Sequence, residues 1–210
     1  NAWYDNVQQS INFCRKKQSG TINTGFASVV YHEYGHHLVA SAGSGQSSYG
    51  EGMGDAVSVV VTDDPILGRG WSGNCNAGLR TADNTDQYPC PSSGHACAEL
   101  LSGCVWDTRD ELVVTNPGTY RDIISNLTID SILLHAGTQI DPTITVDFLV
   151  LDDNDAYRSN GTPHQSEIET GFGAHNMLPP SMPANDLCAD ATTACPGTVF
   201  TGATGGAEKD

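Results

Sequence analysis

Two histidines of this chain, His32 and His36, stand four positions apart, and a glutamate, Glu33, directly follows the first. Residues i and i+4 of an α-helix lie on one face, with their Cβ atoms about 5–6 Å apart. The two imidazoles could therefore bind one metal ion, while Glu33 would lie near enough to act on water at that ion. A helix that merely carries two surface histidines is the alternative interpretation of so short a pattern.

A second acidic cluster, Glu51 and Asp55, follows the Ser/Gly-rich loop at 43–50. A catalytic zinc ion needs three protein ligands and an open fourth position. Glu51 offers the third ligand, and Asp55, one helical turn later, can accept the ring N–H of a ligating histidine. Because the motif and its downstream context agree, the sequence favours a metal site over two surface histidines.

This order of residues resembles the zinc metallopeptidases of the thermolysin and fungalysin type. Their pattern H-E-x-x-H…E-x-x-x-D is matched by His32, Glu33, His36, Glu51 and Asp55. The resemblance implies a secreted zinc endopeptidase in which the two histidines and Glu51 hold Zn²⁺. In that family the glutamate at the place of Glu33 takes a proton from water as the water attacks the peptide carbonyl.

Residues 1–14 are predicted to form two short strands of a hairpin or sheet edge. Their first four residues, Asn1-Ala2-Trp3-Tyr4, are similar to the family's Asn-Ala-aromatic-aromatic strand, which implies that the Asn1 side chain and the Ala2 backbone bind an extended substrate. A sheet edge holds a peptide by main-chain hydrogen bonds whatever the peptide's sequence. An ordinary aromatic-rich strand is the alternative.

A Leu-Arg pair, Leu79 and Arg80, resembles another step of the same family. The resemblance implies that Leu79 shapes the pocket for the residue after the scissile bond, and that Arg80 binds the backbone carbonyl of that residue. Val29, one turn before His32, is expected to line the same active-site face. The alternative for Arg80 is a solvent-exposed side chain in a loop.

His95 and Glu99 belong to a segment that resembles the fungalysin-type His-Ala-x-x-Glu sequence. The resemblance implies that His95 donates a hydrogen bond to the oxyanion of the tetrahedral intermediate. Glu99, one turn later on the predicted helix, could orient the His95 imidazole. A polar residue that simply begins a helix is the alternative.

Apolar periodicity predicts the elements that must position these residues. A first helix should run from about Thr24 to Ala42 and end at Gly43, and a second should begin at about Glu51. A third should extend from 94 through Arg109. The irregular stretch 63–94 is long enough to be functional or cross-linked. Three scaffold helices are expected at 122–134, at 141–151 and from Thr162 onward.

The expected fold class is α+β and zincin-like: an N-terminal β-edge or hairpin and a mainly helical C-terminal lobe, with the active-site cleft between them. Residues 1–175 form the predicted catalytic domain and 176–187 a linker. Residues 188–210 are the start of a further β-rich domain or a disulfide-closed tail. A lone hairpin is at best marginally stable in water, so we expect an upstream segment of the same precursor to supply neighbouring strands. The predicted tail implies a downstream segment as well.

The composition restricts the partners and the compartment. The chain has 210 residues, 38% of them hydrophobic, and a formal net charge of −16. This charge argues against nucleic-acid binding, because phosphates would be repelled. No apolar run approaches the length of a membrane span. These features favour a soluble, secreted protein, and the family resemblance implies that its partner is a peptide or protein substrate.

The seven cysteines include no C-x-x-C pair, which favours disulfides over a thiolate metal site. Cys188 and Cys195 could close a small loop, and Cys75 and Cys90 bracket a Gly/Asn-rich stretch. The remaining connectivity is open.

The other histidines and one acidic turn receive no catalytic role. The acidic turn 152–155, with Asn160, has enough oxygen atoms to bind Ca²⁺, but it lacks the EF-hand spacing, so a polar turn between helices is the favoured interpretation. His135 and His164 are interpreted as structural, and His37 and His175 as solvated.

Two rival functions share the same residues. A zinc aminopeptidase would need extra acidic groups to bind a free amine, and the sequence contains no such motif. A protease-derived binding or structural module would keep the fold and lose the catalytic base, but Glu33 and all three ligands are present. A zinc endopeptidase with a preference for an apolar residue after the scissile bond is therefore the favoured function.

Overall fold

The computed structural model describes residues 1–15, 24–90 and 94–181, apart from the side chain of Ala96. This part of the chain contains six α-helices, one 3₁₀ helix and two antiparallel two-stranded sheets, a mixture compatible with the expected α+β class. The strands are β1 (Ala2–Asp5), β2 (Ser10–Phe13), β3 (Ile66–Leu67) and β4 (Arg80–Thr81). The α-helices are α1 (Ala27–Ala42), α2 (Ser47–Thr62), α3 (His95–Thr115), α4 (Tyr120–Leu134), α5 (Thr143–Asp152) and α6 (Gln165–Ala174), and the 3₁₀ helix is Arg158–Asn160.

The helices α1 and α2 pack with their backbones in close approach, because glycines face each other across the interface. A Cβ atom on Gly35 would lie 2.7 Å from the Cα of Gly54 and 3.2 Å from the carbonyl oxygen of Met53. Helix α1 ends at Gly43, whose left-handed φ of 79° matches the predicted end of this helix. The close packing of α1 and α2 positions the predicted ligands, which lie on these two helices.

The hydrophobic core lies behind that pair, where α2 packs against α3 and α4, and α3 packs against α6. Most of the length of α2 is buried, including the apolar residues that follow Asp55. The largest fully buried side chains of the core include those of Tyr49, Met53, Leu101, Ile124, Phe148 and Phe172. The core therefore fixes the helix that carries Glu51 and Asp55.

The β1–β2 hairpin packs against α1 at the opposite side. Its register pairs Ala2 with Phe13 and Tyr4 with Ile11. The hydroxyl of Tyr4 lies 3.1 Å from Nδ1 of His37, which fastens the hairpin to α1. His37 is thus partly buried and hydrogen-bonded, and the prediction that it is solvated is wrong.

Several other expectations need correction. Helix α2 begins at Ser47 rather than at about Glu51, so Glu51 lies one turn inside the helix. The stretch 63–94 is not wholly irregular, because β3 and β4 pair within it. His175 is fully buried rather than solvated: its Nδ1 donates to the carbonyl of Asp86 (2.6 Å), and its Nε2 lies 3.2 Å from the Asp107 carboxylate.

Cys90 is disulfide-bonded to Cys97, while Cys75 is a free thiol. Cys188 and Cys195, together with residues 182–187 of the predicted linker and the whole predicted tail, lie outside the described residues. Among the helices of the described part, none is long and apolar enough to span a membrane.

Candidate metal centre and cleft

The three predicted ligands converge between α1 and α2. The Nε2 atoms of His32 and His36 are 3.2 Å apart, and they lie 3.3 Å and 3.7 Å from one carboxylate oxygen, Oε2, of Glu51. All three ligand atoms fall within 4.8 Å of one another. His32 and His36 share a face because they are one turn apart on α1, and α2 brings Glu51 opposite them. This group could hold a metal ion.

The hydrogen bonds behind the ligands fit that role. Nδ1 of His32 lies 2.6 Å from Oδ1 of Asp55, and Nδ1 of His36 lies 2.9 Å from Oε1 of Gln46. Each Nδ1–H thus has an oxygen acceptor, which directs both Nε2 lone pairs toward Glu51. The Oε2 atom of Glu51 is buried and faces the Nε2 atoms of both histidines. Two imidazole nitrogens and a carboxylate oxygen suit several transition metals, zinc among them.

Asp55 is the anchor at the back of this group. Its carboxylate is fully buried and accepts two hydrogen bonds from Arg80, from Nε (2.7 Å) and from Nη2 (2.6 Å). Burial would raise the pKa of Asp55, but the hydrogen bonds and charges of His32 and Arg80 lower it below its usual range. Asp55 therefore stays ionised and holds both side chains in place.

The same buried charges shift the pKa of His32. Burial by itself would lower this pKa, but the hydrogen bonds to Asp55 and Glu51 raise it to about 9. A metal ion that binds through Nε2 would therefore displace a proton from His32. Burial also favours a higher pKa for Glu51, yet the hydrogen bonds and charges of His32 and His36 lower it well below the usual range.

Glu33 lies beside the ligands and is 6% exposed. Burial raises the pKa of Glu33, although the charges of His32 and His36 and a hydrogen bond from the backbone N–H of Tyr4 act in the opposite direction. A carboxyl group with a raised pKa in a partly dry site is suited to accept a proton and pass it on near neutral pH. Tyr4 thereby links the hairpin to this carboxylate.

These groups line a cleft of about 590 Å³ that extends from the hairpin to β4. The structure brings together there every residue predicted to bind metal, act in catalysis or bind substrate. These residues are Asn1, Ala2, Val29, His32, Glu33, His36, Glu51, Leu79, Arg80 and His95. Asp55 lies behind them, in contact with His32 and Arg80.

The strand β1 presents part of its backbone to this cleft. Because Cys14 N–H donates to the carbonyl of Asn1 (3.1 Å), the Asn1–Cys14 and Trp3–Asn12 pairs are the hydrogen-bonded ones. The backbone groups of Ala2 and Tyr4 therefore point away from β2. The N–H of Tyr4 meets Glu33, and Ala2 lines the cleft.

His95 begins α3 at the rim of the cleft, with its side chain 61% exposed. Its Nδ1 lies 2.7 Å from Oε2 of Glu51. The carboxylate of Glu99, in contrast, accepts a hydrogen bond from the backbone N–H of Thr81 (3.3 Å). Glu99 thus supports β4, the strand that carries Arg80, and the carboxylate in contact with His95 is that of Glu51.

Gln46 and Trp71 are among the cleft residues that the sequence analysis did not single out. Gln46 contacts His36, and Trp71 lines the cleft and packs on Phe26 with ring centroids 5.9 Å apart. Gln46 lies in the short loop between the two ligand-bearing helices. A long polar side chain in this loop is the sequence signal that could have identified Gln46 as a cleft residue. For Trp71, the signal is a large aromatic residue in a stretch otherwise rich in Gly and Asn.

Comparisons with protein-family models, with curated proteins and with solved structures found no match to this chain. The chemistry of the chain is therefore inferred from the residues of the cleft, above all from the three converging ligands and Glu33 beside them.

Proposed function

We propose that this chain is a secreted, zinc-dependent endopeptidase of the thermolysin/fungalysin type with a zincin-like fold. The convergence of His32, His36 and Glu51 beside a buried Glu33 in one cleft is the observation that carries this proposal. The disulfide Cys90–Cys97 supports an oxidising compartment, in line with secretion.

The proposed roles of the ligands and the base follow from their geometry. His32 and His36 would hold Zn²⁺ through Nε2, and Glu51 would hold it through its carboxylate. The ion supplies Lewis acidity that activates water and polarises the substrate carbonyl. Glu33 takes a proton from the attacking water and delivers it to the leaving amine, and the raised pKa caused by its burial suits both steps.

The substrate is proposed to lie along β1. The outward backbone groups of Ala2 and the side chain of Asn1 would bind an extended peptide in the manner of an added strand. Val29 and Leu79 supply apolar contacts for the residue after the scissile bond. Arg80 has five N–H donors, so its two contacts to Asp55 leave others for the backbone carbonyl of that residue.

His95 is proposed to stabilise the developing oxyanion. An imidazole N–H directed at that oxygen would donate a hydrogen bond that strengthens as negative charge accumulates. Its place at the rim, next to Glu51, supports this role because the reacting carbonyl must lie near the metal ligands.

The proposal is tested by casein hydrolysis before and after treatment with EDTA, followed by addition of Zn²⁺. We expect activity that disappears with the chelator and returns with the metal. Absence of hydrolysis by protein that carries one zinc ion per chain would contradict the proposal and favour a binding module. Release of N-terminal residues alone would favour an aminopeptidase.

A further inference from the structure

The side chain of Gln46 binds one residue, His36, at two places. Its Oε1 lies 2.9 Å from Nδ1 of the imidazole, and its Nε2 donates to the carbonyl oxygen of His36 (3.0 Å). Gln46 is the residue directly before α2, yet its side chain makes no capping hydrogen bond to that helix. The amide is therefore turned toward α1 and the ligand rather than used to begin its own helix.

The second of these hydrogen bonds decides the direction of the first. A backbone carbonyl only accepts, so the NH₂ group of the amide must face the carbonyl of His36. Oε1 must then face the ring, and an amide oxygen can only accept a proton from Nδ1. The proton of a neutral His36 is thereby held on Nδ1, and the Nε2 lone pair points toward His32 and Glu51.

Gly50 lies directly against the amide of Gln46. A Cβ atom on Gly50 would lie 2.3 Å from Oε1 of Gln46 and 3.4 Å from Nδ1 of His36. Any side chain at position 50 would displace the amide from the ring. The glycine on α2 and the glutamine before α2 therefore act together on one imidazole.

We propose that Gln46 is a positioning residue that sets the tautomer and orientation of His36 for metal binding, in the way that Asp55 does for His32. The inference rests on the proposed zinc-dependent function. It adds that the two histidine ligands are held by different groups, a buried carboxylate and a neutral amide. The amide orients His36 without adding a second buried negative charge behind the site.

The test is the affinity of the whole chain for Zn²⁺, measured by competition with a chromophoric chelator. The Gln46→Met variant keeps the length of the side chain and removes the acceptor, so we expect affinity about 10–100-fold lower. Gln46→Glu restores an oxygen acceptor and should bind Zn²⁺ more tightly than Gln46→Met. The visible spectrum of the Co²⁺-loaded protein should change in Gln46→Met, because the angle of the His36 ligand changes.

The matched control is Gln87→Met. Gln87 also donates its amide to a backbone carbonyl, that of Ala174 (2.7 Å), and it does not line the cleft, so its loss should leave Zn²⁺ affinity unchanged. The Gly50→Ala substitution places a methyl group against the amide of Gln46 and should weaken Zn²⁺ binding even if Gln46→Met folds poorly.

Wild-type affinity and an unchanged Co²⁺ spectrum in both Gln46→Met and Gly50→Ala would overturn this inference while the proposed function stands. No Zn²⁺ binding by the unaltered chain would overturn both.

Discussion

The back and the front of the cleft are built in different ways. The back wall, defined by Gly35, Gly54, His32 and Asp55, is buried, and its helices touch backbone to backbone. The rim consists of Trp3, Leu79 and His95, which are all exposed to solvent. Trp3 lies on a short hairpin, Leu79 directly precedes the two-residue strand β4, and His95 lies in the first turn of α3.

The difference separates two tasks. A metal ion requires ligands fixed to within a fraction of an ångström, and only dense packing with ion pairs provides this. A peptide must enter and leave, so the groups that meet it lie where solvent has access. Changes in the back wall should therefore alter metal affinity and stability, whereas changes at the rim should alter substrate binding and turnover and leave the metal content unchanged.

Glu33 joins the two regions, since it stands on α1 and accepts the N–H of Tyr4 from the hairpin. In Glu33→Gln the amide keeps the shape of the side chain but cannot accept a proton from water at neutral pH. We expect kcat to fall by about 10²–10⁴-fold with zinc content unchanged, measured by casein hydrolysis and elemental analysis. The exposed Glu111→Gln on α3 is the control. Near wild-type kcat would exclude Glu33 as the base.

For the rim, His95→Ala should lower kcat/KM by about 10²–10³-fold, the usual loss for one oxyanion donor. Zinc content should stay the same, because His95 is not among the three ligands. His164→Ala serves for comparison, since its Nδ1 contacts Asp152 and it does not line the cleft. If His164→Ala lost activity in this way and His95→Ala did not, the assignment of His95 would be wrong.

For the back wall, Asp55→Asn removes the charge that holds His32 and Arg80. We expect Zn²⁺ affinity to fall by about 10–100-fold, as measured by chelator competition. Asp64→Asn is a matched control, because Asp64 also pairs with an arginine, Arg69 (2.6 Å), but at the surface. Equal effects of the two substitutions would contradict the special role of the buried pair.

The smallest expected effect concerns the contact of α1 with α2. The added methyl group of Gly35→Ala would meet the backbone of Gly54 at 2.7 Å, so unfolding should require about 1–3 kcal/mol less free energy. Gly118→Ala places the same methyl in open space and should change stability little. Denaturation by urea gives both values. If Gly35→Ala and Gly118→Ala had equal free energies of unfolding, the close approach of α1 and α2 at Gly35 would not contribute to stability, contrary to this prediction.

Local features of the site were predictable from the sequence. The spacing of His32 and His36 is a property of one helix, and the same holds for Glu51 and Asp55 on the next. Gly43 ends α1 as predicted, because a left-handed residue after the last turn is a local requirement. Strands β1 and β2 also lie within the predicted range.

Features that depend on how distant segments meet were not predictable. The short connection between α1 and α2 marks Gln46 as a candidate, but its contact with His36 depends on how the loop and the two helices meet in space. The burial of His175 depends on its packing beside Asp86 and Asp107. The start of α2 was predicted too late because three of its first four residues, Ser47, Ser48 and Gly50, have lower helix propensity than alanine or leucine.

The metal content of the chain tests the central claim most directly. Elemental analysis of dialysed protein, combined with X-ray absorption at the zinc edge, should find one zinc ion per chain, bound by imidazole nitrogen and carboxylate oxygen without sulfur. His36→Ala should lose that ion. Protein without zinc, zinc bound to sulfur, or a zinc content unaltered in His36→Ala would contradict the account.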